Sequence, residues 1–490
     1  GKVLTKTTSG TVVLTANNTY SGGVLISGGT LQIGDGDSTG TPGGSGVVIT
    51  NNSQLTFDRG AGSTLTISGP ISGNGAVTKL GAGTVALTGA NTYSGSTTIS
   101  NGAINISSAS TLGDGTGALN LSGGTLNSTA NRNPSTAPVS NPIHLTGDSE
   151  ITTSSTAATV DLNFTTSVVS SSAGTLTFRN DGANDSTDLF DPKFSGSFVF
   201  SAPVIIENGP MGLTRLSSFN TNGTTQIFNG PISGNGSFRR SVSSGSGGTT
   251  VFNGTNTYTG TTLVSEGALL VNGSLGTNSV TVGSGGTLGG HGVVNGAVTI
   301  QSGGTLAPGA SAGMLTISNS LALSAGSKTS IDLDALTQAS DRVAGLTSVT
   351  YGGTLQLNLT GNLSGGESFQ LFSAGSYAGS FSSITPAIPG SGLVWNTNNL
   401  SLNGTLSVIS TNVVQPPAIT NLVRLADRSV QFSFNGSAGQ TYRVWAITNL
   451  SFTPNAWMLL TNGTFGSGPV LFTDGQATNF AQRFYRVTVP

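Results

Sequence analysis

Cysteine is absent from these 490 residues, and the two histidines, His144 and His291, stand 147 positions apart (291 − 144). That excludes disulfide staples and leaves no Cys/His spacing for a zinc site. Charge is scarce too: 17 Lys and Arg against 19 Asp and Glu make up 7% of the chain, with net charge −2. With no basic tract, nucleic acid and anionic membrane are poor partners. No apolar run approaches the length that spanning a bilayer requires, so no membrane-spanning helix is expected. What fills the chain is Gly, 74 residues of it, among Ser, Thr and Asn, with Val, Leu and Ile placed between them.

Those residues fall into recurring phrases. NTYSG at Asn18–Gly22 returns at Asn91–Gly95 and as NTYTG at Asn256–Gly260. Tyr93 follows Tyr20 by 73 positions (93 − 20), and Tyr258 follows Tyr93 by 165 (258 − 93), more than twice the first interval. GPISGNG stands at Gly69–Gly75 and Gly230–Gly236, and SGGTL at Ser27–Leu31, Ser122–Leu126, Ser284–Leu288 and Ser302–Leu306. The excess of 19 (165 − 146) is therefore expected as an insertion between the second and third copies.

Each phrase reads as a short strand closed by a Gly-Gly, Asn-Gly or Ser-Gly turn, because apolar and small polar residues alternate with period two. A unit of this size cannot bury its apolar side alone, so the copies must stack. The fold class expected is all-β: a right-handed parallel β-solenoid (β-helix) followed by a small antiparallel β-sandwich. At roughly 20–25 residues and about 4.8 Å per coil, the solenoid would be on the order of 80–100 Å long. Strand-like text begins by Val12, so the first coil is expected to be open to stacking.

Five regions are legible. Residues 1–130 and 224–319 carry the phrases. Residues 131–223 lose them, gain Phe and include NPSTAP and NDGANDSTDLFDP, which reads as degenerate coils with an acidic insertion. Residues 320–414 have longer alternating strands, as in SIDLD and GGTLQLNLTG, and form the closing part. Gln415-Pro416-Pro417 reads as a linker into 415–490, where Trp445, Trp457 and aromatic-rich strands suit a small sandwich. That last region holds Arg424, Arg428, Arg443, Arg483 and Arg486 against Asp427 and Asp474, a net +3, leaving −5 for the remainder.

The phrases resemble the passenger-associated strand repeats of bacterial autotransporters: Lys79-Leu80-Gly81-Ala82-Gly83-Thr84 onward to Ile104 matches their hallmark text nearly in full. Gly303–Ile317 is similar to the phrase that closes such arrays. The resemblance covers roughly Gly10–Ala130 and Thr224–Ile317, and implies an extracellular β-helix exported behind a removed signal, without fixing its role. The C-terminal run of amphipathic barrel strands of that family is not seen. The pattern YRVWAITNLS…FTDGQATNFAQRFYRVTVP resembles a C-terminal immunoglobulin-like or fibronectin-like module of large secreted proteins from Verrucomicrobia and Planctomycetes.

Chemistry-bearing residues are few. Ser-His-Asp catalysis needs a histidine base, and His144 and His291 sit in ordinary strand or turn text without a GxSxG elbow. The GxG phrases have no strand–GxxxxGK[ST]–helix context and are turn glycines. The dense acidic group is Asp181, Asp185, Asp188 and Asp191, with Asn180 and Asn184 alongside. An oxygen-rich, Gly-containing loop suits calcium, which takes carboxylate and carbonyl ligands; the plain alternative is a solvated loop. Asp35 and Asp37 read as a turn, and Asp332, Asp334 and Asp341 near Arg342 as a strand end or ion pair. The Asn-x-Ser/Thr triplets, such as Asn17-Asn18-Thr19, point to Asn ladders. The repeated Tyr is expected to stack within the rod. No organic cofactor is implied.

Three functions fit. The first is a non-enzymatic extracellular structural protein whose copies associate end to end, head to tail, into a filament or surface fibre. The second is a monomeric passenger or adhesin that binds glycans or a cell surface. The third is a polysaccharide-active β-helix working through Asp185 and Asp188.

Overall fold

The computed structural model describes residues 1–490 except 109–110, 133–136, 167–168, 183–184, 220–222, 242–246, 310–312, 412–416, 451–455 and 490. NPST of the NPSTAP segment, Asn184, and Gln415 and Pro416 of the expected linker lie outside the described residues. Two compact units are present, Gly1–Ile409 and Ser410–Pro490.

The first unit is a parallel β-solenoid whose chain visits three faces in turn. On the first face an eight-stranded parallel ladder runs from Thr11–Leu14 to Val169–Ser171; Phe198–Phe200 packs beside its last strand and begins a second ladder ending at Ser383–Thr385. The second face carries Thr64–Ile67 to Ile232–Ser233, then Ser274–Leu275 to Phe372–Ala374. The third carries Leu4–Lys6 to Ile71–Ser72, then Thr159–Phe164 to Tyr377–Gly379. Parallel pairing with both ends of every strand leading into a turn is what a Gly-rich, period-two text dictates.

Register explains the text. Thr84, Val85, Ala86 and Leu87 stand opposite Ala103, Ile104, Asn105 and Ile106, so Val85 and Leu87 sit on Ile104 and Ile106 in the core while their neighbours point out. The column continues as Leu65, Val85, Ile104, Leu126, Ile151, Phe178 and Ile206, all buried. Each such side chain contributes about 1.5–3 kcal/mol from its removal from water. The turns demand glycine: Gly102 has φ +62°, and a Cβ there would lie 2.2 Å from the Gly83 carbonyl oxygen in the coil below.

The repeat does not match a whole number of coils. TVVL at Thr11–Leu14 lies on the first face, whereas its copy Thr84–Leu87 lies on the second, three coils and one face further on. From there to the third copy, Thr249–Phe252 on the first face, the chain climbs six coils and two faces, twice the first interval. Among the described residues, the extra length between the second and third copies adds no coil. It lengthens coils instead. Val85 and Ile104 are stacked core partners separated by a short coil, and the coil between the equivalent partners Phe178 and Ile206 is much longer.

The longer coils enclose a wider section, filled by aromatics. Phe164 and Phe194 stack with centroids 4.8 Å apart, and edge-to-face contacts link Phe194, Phe198, Phe228 and Phe252. At residues 368–410 the winding is closed. Ser368–Gln370, Thr405–Ser410 and Leu393–Asn396 form a three-stranded sheet in which the first two run antiparallel, and a short helix, Leu400–Asn403, lies against Phe372–Ala374 and Tyr377–Gly379 with Leu400 buried. The Tyr351 hydroxyl donates to the Leu400 carbonyl at 3.0 Å. This cap covers those terminal strands.

The second unit is a small β-sandwich of two antiparallel sheets: Ile419–Arg424, Val430–Phe434 and Val470–Asp474 in one; Met458–Thr464, Thr441–Ile447 and Phe484–Thr488 in the other. Phe432, Phe434, Val444, Phe465 and Val487 form its core. Among the described residues, no helix is long and apolar enough to cross a membrane.

Candidate functional site

The acidic segment occupies the climb from the strand Leu176–Asn180 on the second face to Leu189–Phe194 on the third. Alternation and turn chemistry send the carboxylates of Asp181, Asp185 and Asp191 to separate partners. Asp181 follows the second-face strand and pairs with Arg179, Nε to Oδ1 2.7 Å, while accepting the Thr152 hydroxyl at 2.9 Å. Asp185 closes its own turn by accepting the Thr187 N–H at 2.7 Å and hydroxyl at 2.6 Å, which holds its carboxyl below the usual carboxylate range. Asp188 is buried, and its backbone carbonyl accepts from Asn180 Nδ2 at 3.2 Å. Among the described residues, no three His, Cys, Asp or Glu side chains converge as metal ligands.

Asp191 is the centre of a different arrangement. It is 0% exposed, although its parity on the strand aims it away from the aromatic core. Oδ2 meets Arg215 at 2.7 Å, Arg239 at 3.2 Å and Lys193 at 3.7 Å, and Oδ1 accepts the Ser217 hydroxyl at 2.5 Å. Lys193 also pairs with Asp161 at 2.7 Å and lies 5.3 Å from the Phe219 ring centroid. Parallel register builds this: Asp161 stands opposite Asp191, and Arg215 and Arg239 come from the next two coils. Two carboxylates face three cations, a net +1, and burial lowers the Arg239 guanidinium from its ordinary value. The arrangement clamps four successive coils.

The remaining expectations resolve individually. His144 lies in the strand Ile143–Leu145, opposite Asn120 and Ser170, and His291 is exposed in a turn. No ion pair among the described residues includes either. Tyr93 and Tyr258 are buried, and their hydroxyls share hydrogen bonds with Thr97 at 2.7 Å and Thr262 at 2.6 Å, burial pushing both phenols up. They do not stack with one another, because copies several coils apart have no contact. The Asn ladder is present: Asn272 donates to Asn253 at 3.2 Å and Asn253 to Asn229 at 2.8 Å. Asp332 and Asp341 are joined through the backbone, the Asp341 Oδ2 accepting the Asp332 N–H at 2.9 Å and Oδ1 the Gly313 N–H at 2.8 Å.

One role went unread in the sequence. The Lys79 ammonium, in a fully buried side chain, donates to the carbonyls of Gly81 and Asn101, closing a corner between coils. Lys6 does the same with Thr8 and Gly28. Burial lowers Lys79 to about 8, with Asp58 opposing the shift and Arg59 adding to it. The signal was available: alternation from Val77 puts Lys79 at an inward position, in register between Phe57 and Ile99, just before the turn glycines of the K-L-G-A-G-T phrase.

Comparison with known proteins agrees with this frame. The family described as passenger-associated-transport-repeat matches residues 4–33, 77–106 and 245–271, one stretch around each Tyr phrase. These three stretches of the chain are similar to passenger-associated transport repeats. A stretch of 141 residues is 36% identical to the "Adhesin BmaC autotransporter" of Brucella suis biovar 1 (strain 1330). That match takes in 25% of this chain and 4% of the adhesin, so the chain spans a small part of that relative. The repeats mark solenoid coils here, and the phrase itself is mostly packing: Asn91 and Asn256 are buried and tie turns, with Asn91 Oδ1 accepting the Ile71 N–H at 2.9 Å and Asn256 Oδ1 the Ile232 N–H at 2.9 Å.

Proposed function

We propose that this chain is a non-enzymatic, extracellular or cell-surface passenger of adhesin type, in which the solenoid is a rigid scaffold. The observation that carries the reading is the position of the three matched repeats inside one parallel winding, whose inward groups, among the described residues, are spent on packing and corner hydrogen bonds, and whose Asp191 clamp on the outer side is spent on holding coils together. The similarity to part of an autotransporter adhesin supports the surface location. Antibody labelling of intact producing cells tests it: labelling before permeabilisation is expected, and labelling only afterwards overturns it.

The finer reading is self-association end to end. The cap at 368–410 shapes it, because the helix Leu400–Asn403 lies against two of the three terminal strands while Ser383–Thr385 is largely exposed; a contact at that end meets the cap's surface and that one strand. Sedimentation of purified chain across a hundredfold concentration range checks this. Growth of species beyond the monomer supports it, and a single monomer boundary removes it.

A further inference from the structure

We propose that one outer face of the C-terminal sandwich is a binding surface for an acidic polysaccharide, a polymer of uronate or sulfated sugars. The face belongs to the sheet Met458–Thr464, Thr441–Ile447 and Phe484–Thr488. Val444, Ala446 and Val487 point inward and are buried, so alternation sends Arg443, Trp445, Arg486 and Thr488 outward. Register sets them in rows: Leu459, Trp445 and Arg486 stand side by side across the three strands, and Asn462, Arg443 and Thr488 form the next row. The Arg486 guanidinium carbon lies 4.8 Å from the Trp457 ring centroid. Trp445 Nε1 donates to the Thr488 hydroxyl at 2.8 Å, which pins that indole in place.

Charge makes the face selective. None of the three strands contains Asp or Glu, and the unit's two acids are spent elsewhere. Asp474 is buried and holds Arg483 at 2.8 Å, the Tyr485 hydroxyl at 3.0 Å and the Gln476 N–H at 3.0 Å. Asp427 accepts the Ser429 N–H at 3.0 Å and hydroxyl at 2.6 Å. Among the described residues, Arg443 and Arg486 therefore have no carboxylate partner.

Two exposed guanidiniums on a sheet beside indoles match one ligand chemistry. Guanidinium forks take carboxylate or sulfate in two parallel hydrogen bonds. Indole faces take the apolar C–H side of a pyranose ring and lose little conformational freedom in doing so. Asn462 and Thr488 add an amide and a hydroxyl for sugar hydroxyls. A neutral glycan would leave the arginines unused, and an acidic peptide would leave the rings without a partner. The preference for polysaccharide over nucleic acid rests on the extracellular reading above.

The test uses the full chain, with alginate and chondroitin sulfate as probes, and dextran, poly-glutamate, oligo-dT and phosphatidylserine vesicles as comparators. Binding to alginate or chondroitin sulfate that weakens with salt, with dextran silent, is expected. Arg486→Ala and Trp457→Ala should each lower affinity by roughly tenfold or more, while Arg424→Ala, on the other sheet, leaves it unchanged. Arg486→Lys and Trp457→Phe, which keep charge or ring, guard against loss of fold and should fall between. No binding to either polysaccharide at about 50 mM salt overturns the proposal, as does tighter binding to oligo-dT, poly-glutamate or vesicles, or an equal loss in Arg424→Ala. Surface labelling without polysaccharide binding removes this face and keeps the proposed function; binding by a chain confined inside the cell does the reverse.

Discussion

In the coils from Lys79 to Ile106 the core is aliphatic except for Tyr93, the winding is tight and a buried cation serves a corner; between Thr159 and Phe252 the coils lengthen, rings fill the interior and the outer side holds a buried ion cluster. Both regions keep the same three-face winding. Strand pairing thus fixes the path, and coil length fixes what must fill the section. Lengthening a coil without adding one creates volume that Val and Ile cannot occupy, and width on which charged side chains can pair across neighbouring strands.

The sharpest way to break the comparison is Asp191→Ala, which takes from Arg215 and Arg239 their carboxylate partner and leaves Lys193 with Asp161 alone. A loss of about 3–5 kcal/mol is expected, read as early local opening of residues 189–240 by hydrogen exchange while Thr84–Ile106 stays protected. Phe238→Ala should cost a similar ~3–5 kcal/mol through the cavity it leaves, whereas Ile104→Val in the narrow coils should cost only about 1 kcal/mol; equal losses would mean that the sections do not differ in packing. Asp341→Asn places an amide against one of two backbone donors and should cost about 1–3 kcal/mol at pH 7.

Asp341 also carries a pH signature. Burial pushes its carboxyl up to about 6, although the Asp332 and Gly313 N–H groups hold it down. A pKa raised on folding means that the folded chain binds the proton more readily. That contribution is present in full below about pH 4 and is lost as pH rises through about 6. The melting difference between wild type and Asp341→Asn should therefore change across roughly pH 4–7, and a constant difference would deny the shift. The smallest effect is expected from calcium: with Asp181, Asp185 and Asp191 engaged by Arg179, Thr187 and the clamp, millimolar calcium should leave the melting temperature unmoved, and a rise abolished by Asp185→Ala would make the loop a cation site.

Much of this was legible. Period-two text with Gly-bearing turns predicted a parallel solenoid, and the aromatic, arginine-rich tail predicted a separate sandwich. The placement of the acids was not, because sequence proximity is a poor guide where every few residues turn a corner: Asp181 and Asp191 are close in the chain yet serve different faces. The Tyr spacing misled for the same reason, since it counts residues and the structure counts coils. Lys79 was hidden by its type, a Lys reading as surface until two carbonyls are seen to receive it.

The mismatch between repeat and coil has one more effect. The first and third copies share a face ten coils apart, about 48 Å at about 4.8 Å per coil, while the second is turned to the next side. A flat partner can therefore engage alternate copies and never all three, so avidity along this array does not grow with the number of repeats.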